Sequence, residues 1–378
     1  MKYCIINGNI VLEDRIVQEN IWIEEDRIVA LTNEVDKEAT LIDAKGMYVC
    51  PGFIDVHTHG KDGLDTMNVT QDNLEILTMA HARTGVTSVL PATMTASIED
   101  TRNTIEVLYE NKDRVKGAKI IGIHMEGPFF NKKHKGAQPE QYILKPSIED
   151  FNKMVGEHSD FIKILSLAPE IEGAKALTSY LVDQGITVSI GHTGATYSQA
   201  KEVMDLGANH ITHTFNAMTP LHHRNPGVVG LAMDEKEAYA ELILDGHHVV
   251  DVSARILFNA KGEDHLVLIT DSMEASMKEP GTYQLGGQKV YVKEGTARLE
   301  DGTLAGSILC MNEAVKNAVD FFNIPLYTAV KCASLNPARS IKMDGEIGSI
   351  AVNKKADIIF MNDQYEVIHS FIDGKQLF

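Results

Sequence analysis

An α/β fold, a (β/α)8 TIM-like barrel joined to a small β-sandwich built from both chain termini, follows from three features of the 378-residue sequence. Apolar runs of strand length alternate with helix-length segments through residues 53–340. The two ends of the chain carry strand and turn signals instead, with no helical period. Histidines and acids recur just where the central apolar runs stop.

The N-terminal stretches KYCIINGNIV, RIVQENIWIEEDRIVALT and ATLIDAKGMYVCPG are rich in Ile and Val, and Asn-Gly and Lys-Gly turns punctuate them. GEIGSIAVNKKADIIFMND and YEVIHSFIDGKQLF close the chain in the same style, so residues 1–52 and 341–378 are expected to form one sandwich. Between them come GFIDVH, TSVLPA, KIIGIHME, IKILSLAPE, ITVSIGHT, NHITHTF, AELILDGHH and HLVLITDS, eight candidate strands. Segments such as DNLEILTMAHARTG, IEDTRNTIEVLYENKDRV, GAKALTSYLVDQG and YSQAKEVMDLG separate them, with apolar residues at helical spacing. Strand–helix alternation implies a parallel sheet with crossover helices. Eight such units favour a closed barrel over an open doubly wound sheet. No glycine-rich dinucleotide fingerprint follows the first strand, which also weighs against the open sheet.

Composition narrows the function. With 35 Lys+Arg against 53 Asp+Glu the formal charge is −18, which repels phosphate backbones and anionic lipid. Neither nucleic acid nor membrane is therefore an expected partner, although a small anion can still answer to the local field of a pocket. Apolar runs fall far short of the roughly 20 residues that cross a bilayer. The four cysteines, Cys4, Cys50, Cys310 and Cys332, are widely spaced and read as reduced thiols of a cytoplasmic protein.

The polar residues at the strand ends carry the chemistry. Strand one ends with His57 and His59, strand three with His124 and Glu126, strand five with His192, and strand six with His213. His247 and His248 end the seventh run and Asp271 the eighth. In a barrel these positions converge on the C-terminal face, where catalysis occurs. Residues i and i+2 of a strand share a face, so His57 and His59 can grip one ion. Imidazoles with a carboxylate suit Zn²⁺ or Fe²⁺, and such an ion brings the pKa of bound water to about 7. Asp271 can then move the proton. Taken singly, each residue also has a bland interpretation: a turn residue for Glu126, a helix cap for Asp271, a hydrogen-bonded structural histidine for His192 or His213. Coincidence at four strand ends outweighs these. His81, His158, His210 and His265 are expected to be ordinary, and the pair His222–His223 stays open.

PGFIDVHTHG resembles the entry motif of the amidohydrolase superfamily, and GEIGSIAVNKKADIIF resembles its return into the sandwich. HMEGPFF, KGAQP, GHTGAT, THTFNAM, RNPG, LDGHHV, LITDSM and AGS are similar, in order, to the N-acetylglucosamine-6-phosphate deacetylase family. Dihydroorotases and hydantoinases carry a carboxylated lysine at the end of strand four. Here that strand ends SLAPE, and Lys163 stands near its start.

The resemblance implies Glu126, His192 and His213 as ligands of a main divalent metal, with His57 and His59 holding a second, hence one or two ions per subunit. It implies Asp271 as acid/base and His248 beside the acetyl and sugar groups. Arg224 would bind the 6-phosphate, in some members from the neighbouring subunit of a homodimer. Ala137, Gln138, Asn216, Ala217, Ile308, Leu309 and Cys310 would contact the sugar. Gln138 stands where some members have His, Thr214 where Leu is more usual, and Ser272 where Ala is common. The reaction implied is deacetylation of N-acetyl-D-glucosamine 6-phosphate. The rivals are a metal amidohydrolase for another N-acetyl amino sugar or N-acyl amino acid, and a metal-free assembly protein of the hydantoinase-related kind, which would lack the ligands.

Overall fold

Eight parallel strands ring the centre of the computed structural model, which describes residues 2–34 and 40–378. Met1 and residues 35–39, including Ala39 at the start of the expected run ATLIDAKG, lie outside the described residues. The strands are β1 (Phe53–Thr58), β2 (Val86–Thr93), β3 (Ile123–Glu126), β4 (Ile162–Leu167), β5 (Thr187–Ile190), β6 (His210–Ile211), β7 (Tyr239–Ile243) and β8 (Leu266–Ile269). Each pairs in parallel with the next, from β1 to β8. At the seam between β8 and β1, Asp271 N donates to His57 O at 2.9 Å and Thr270 Oγ1 donates to Asp55 Oδ2 at 2.6 Å. Residues flanking the site thus draw the ring together.

A helix follows every strand: Leu74–Arg83, Ile98–Asn111, Ile148–Val155, Ala174–Asp183, Tyr197–Asp205, Gly227–Asp234, Asp251–Lys261 and Met311–Phe322. Helices outside and packed side chains inside leave β1 and β2 wholly buried, as parallel strands require. Local sequence starts several helices. Ser97 and Ser147 accept from Asp100 N and Asp150 N, and Thr196 forms a capping box with Gln199. Each such cap contributes about 1 kcal/mol by satisfying amides that the helix cannot.

The chain ends form two further sheets. One orders Arg27–Thr32, Asn20–Glu24, Lys2–Ile6 and Thr40–Asp43. The other runs from Lys375–Gln376 through Val367–Ile372, Ile358–Met361, Tyr48–Pro51 and Asn9–Val11 to Ile16–Val17, so the two termini share it. Ile5, Ile21 and Ile23 of the first bury against Val49, Ile358, Phe360 and Phe371 of the second.

Two details depart from the expected elements. KIIGIHME divides into Lys119–Ile120 and Ile123–Glu126, with only the second piece reaching the C-terminal rim. Between β8 and its helix stands a three-stranded antiparallel sheet, Gly281–Leu285, Gln288–Lys293 and Thr296–Arg298. Its inner residues Leu285, Val290 and Val292 pack with Met94, Ala137 and Met273 over the mouth of the barrel.

Candidate active site

The strand ends deliver the expected side chains to one place because the backbone turns sharply there. His57 lies within β1, and Glu126 is the last residue of β3. His192, His213 and Asp271 each follow their strand by two residues and adopt positive φ values of 47°, 27° and 46°. Left-handed backbone is costly for residues with a side chain and persists at sites that need it. It aims all three groups inward.

Glu126 Oε1 lies 3.1 Å from His192 Nε2 and 3.1 Å from His213 Nε2, and those two nitrogens lie 3.1 Å apart. Glu126 Oε2 is 3.2 Å from His59 Nε2, which is 3.3 Å from Asp271 Oδ1. His57 Nε2 stands 3.4 Å from Glu126 Oε1 and 3.6 Å from Asp271 Oδ1. All these groups are buried. Gln138 donates to the second Glu126 oxygen, and its own oxygen accepts from Thr95 N at 2.8 Å.

This arrangement suits a cation. His57 Nε2 and Asp271 Oδ1 face each other but have no hydrogen-bond partner among the described residues. Burial opposes a charged His57 or His59, but the surrounding carboxylates outweigh it, holding His57 well above the usual imidazole range and His59 at about 9. Burial likewise opposes the Glu126 carboxylate, yet His57 and His192 hold its pKa well below normal. A pocket that draws positive charge onto buried imidazoles at neutral pH favours a metal ion still more. Glu126, His192 and His213 make one compact set of donors, and His57, His59 and Asp271 another, with ligand atoms in each set within 4.8 Å of one another.

Above these groups opens a cavity of about 330 Å³. It is lined by His59, Glu126, Ala137, Gln138, His192, His213, Asn216, Ala217, His248 and Asp271, together with Lys133, His134, Thr303, Leu304 and Leu285. Four expected contacts are not in that lining. Ile308, Leu309 and Cys310 lie outside it, with the Ile308 carbonyl accepting from Ser276 Oγ at 3.2 Å. Arg224 is exposed on the loop after β6, and its Nη1 lies 2.7 Å from His223 Nε2. His210, expected to be ordinary, is wholly buried with Nε2 3.4 Å from Glu241.

Three supporting acids are not among the sequence-predicted site residues. Asp245 Oδ2 lies 2.6 Å from His248 Nδ1, while Oδ1 accepts from the amides of His247 and His248, fixing the ring that faces the cavity. An Asp three residues before a candidate histidine was the available signal. Glu170 accepts from Asn131 Nδ2, Thr193 Oγ1 and Gly194 N at 2.7, 2.6 and 2.6 Å, binding the loops after β3 and β5 to the end of β4. Glu241, in the run AELIL, is wholly buried beneath His57. A carboxylate inside an apolar strand was its signal.

Residues 48–377 match the amidohydrolase family. The N-acetylglucosamine-6-phosphate deacetylase of Bacillus subtilis (strain 168) is 37% identical over 98% of this chain and 95% of its own length. The N-acetylgalactosamine-6-phosphate deacetylase of Escherichia coli O157:H7 is 34% identical over 96% and 97%. The crystal structure of the N-acetylglucosamine-6-phosphate deacetylase from Pasteurella multocida superposes with a TM-score of 0.95 at 30% identity, covering 100% of this chain and 99% of that one. A strand-end donor cluster, a cavity above it and relatives matched over nearly their full length lead to one conclusion: the chain belongs to the amidohydrolase family, on the branch of the hexosamine-6-phosphate deacetylases.

Proposed function

We propose that the protein hydrolyses the acetamide of N-acetyl-D-glucosamine 6-phosphate, releasing acetate and D-glucosamine 6-phosphate. The observation that carries this is the meeting of Glu126, His192 and His213 with His59 and Asp271 on the floor of a cavity that His248 also lines, with His57 buried against them.

Glu126, His192 and His213 would hold one divalent ion, and His57 and His59 a second, as Zn²⁺ or Fe²⁺. Such an ion supplies Lewis acidity and a readily ionised water at neutral pH. The protein's own groups do the rest. Asp271 takes the proton of the attacking water at Oδ1, which has no hydrogen-bond partner among the described residues, as oxygen adds to the acetyl carbon. The same proton then passes to the sugar nitrogen as the C–N bond breaks, because an amine leaves only when protonated. His248, held through Nδ1 by Asp245, offers its other nitrogen to the acetyl oxygen or a sugar hydroxyl. Asn216, Ala217, Ala137 and Gln138 shape the sugar subsite. Gln138 also fixes the Glu126 carboxylate through Thr95.

Arg224 is the proposed phosphate ligand, with a planar fork suited to two phosphate oxygens. Its exposure outside its own chain's cavity supports service to the cavity of a second subunit in a homodimer. No helix among the described residues is long and apolar enough to cross a membrane. All four cysteines are free and buried, which supports a cytoplasmic setting.

The Escherichia coli relative keeps a second substrate in view, the C4 epimer N-acetylgalactosamine 6-phosphate. Acetate release should be measured from both 6-phosphates and from unphosphorylated N-acetylglucosamine, with protein stripped of metal and reloaded. Metal-dependent turnover of N-acetylglucosamine 6-phosphate well above the unphosphorylated sugar is expected. Preference for the galactosamine epimer would change the substrate but keep the chemistry. Turnover of none of the three would defeat the proposal.

A further inference from the structure

We infer that Glu241 is the positioning residue that makes His57 a metal ligand, so that the ion held by His57 and His59 depends on a carboxylate that never reaches the cavity. The inference rests on the metal-site reading above. It does not depend on which sugar is the substrate.

Glu241 sits in the middle of β7 with its side chain directed into the barrel, wholly buried. Its Oε2 accepts from the backbone N–H of His213 at 2.9 Å. The same oxygen lies 2.9 Å from His57 Nδ1. An oxygen already accepting from a backbone amide also acts as acceptor to the ring, so Nδ1 of His57 carries the hydrogen. The lone pair is then on Nε2, the nitrogen that faces Glu126 and Asp271. Fixing the tautomer and the ring plane from behind is how a carboxylate raises the ligand quality of a histidine.

One alternative can be set aside on geometry. His57, His124 and Glu241 themselves bring three potential ligand atoms within 4.8 Å. His124 is engaged at both ring nitrogens, with Val56 O at 3.0 Å and Ser166 Oγ at 2.7 Å. Ser166 continues to Thr212 at 2.8 Å and Thr212 to Ser189 at 2.6 Å. His124 is therefore the top of a hydrogen-bonded column in the barrel interior, and of the three residues only His57 turns a ring nitrogen toward Glu126 and Asp271.

The experiment compares wild type, Glu241→Leu, Glu241→Gln, His57→Ala and the double variant His57→Ala/Glu241→Leu. Zn²⁺ affinity is read by competition with a chromophoric chelator, and the visible spectrum is read after loading with Co²⁺. Glu241→Leu should weaken the ion associated with His57 by about 10–100-fold and alter the Co²⁺ bands. Glu241→Gln, which keeps an acceptor oxygen, should recover part of the loss. Most of the effect of Glu241→Leu should vanish when His57 is already Ala. Equal weakening with and without His57 would overturn the inference, since Glu241 would then support only His213 or the barrel. Unchanged affinity and spectrum in Glu241→Leu, or in Glu241→Gln should the leucine variant not fold, would overturn it as well. A failed sugar assay would leave these metal measurements untouched, so the two proposals fail separately.

Discussion

His192 and His213 direct their Nε2 atoms at each other across 3.1 Å, with the same Glu126 oxygen 3.1 Å from both. His192 Nδ1 lies 2.9 Å from the His134 carbonyl, which can only accept, so the neutral ring keeps its hydrogen there and turns the Nε2 lone pair into this space. That is the orientation a metal ligand needs.

Stripping the protein with a strong chelator should abolish deacetylation and lower the melting temperature, because an ion bound only by the folded state stabilises it by mass action. Restoring Zn²⁺ or Fe²⁺ should recover both. Chelation that moves neither quantity would show that these donors serve only one another.

Asp271→Asn should lower kcat by at least about 10³-fold, in the upper range for loss of a positioned acid/base. The ion held by Glu126, His192 and His213 should be retained, since those three ligands are untouched. Metal analysis beside steady-state kinetics checks this. A variant that keeps its activity would remove Asp271 from proton transfer.

Arg224→Ala should raise KM for the 6-phosphate by roughly 10–100-fold, the loss of about 1.5–3 kcal/mol expected for a hydrogen bond to a charged group. KM for the unphosphorylated sugar should hardly change. Mixing Arg224→Ala with Asp271→Asn, after unfolding and joint refolding, tests service across a dimer. Half the dimers would be mixed and each would carry one intact site, restoring about a quarter of wild-type activity. No recovery would assign Arg224 to its own chain's cavity.

Lys261 provides a test remote from the site. At the end of helix Asp251–Lys261 it is buried, and Nζ donates to the Lys236 carbonyl at 3.2 Å and to that of Glu235. Burial, with Lys236 nearby, lowers its pKa to about 8. The unfolded chain, with a lysine pKa near about 10.4, binds this proton more tightly, so the charge costs stability below pH 8 and the cost disappears as pH rises toward 10.4. Wild type should therefore gain stability relative to Lys261→Met between about pH 8 and pH 10. Melting curves for the pair across that window check it; a constant difference would contradict the lowered pKa.

The amino-acid pattern by itself determined the alternating β and α units, the pairing of the chain ends and the strand-end donors His57, His59, Glu126, His192, His213 and Asp271. These are legible because burial imposes a period on apolar residues, and because a histidine or acid that ends an apolar run stands out against it. Glu241, Asp245 and Glu170 were not singled out, although each lies in or beside a quoted run. What they do depends on partners such as His57, 184 residues from Glu241. The sheet of residues 281–298 is hard to read from sequence for a different reason: its alternation is brief and follows the last barrel strand. Only the tertiary structure decided that Arg224 and Ile308–Cys310 lie outside the cavity lining of their own chain, and that Glu241 backs His57. Strand order and ring closure bring such residues together, and a spacing along the chain carries no information about distances across a barrel.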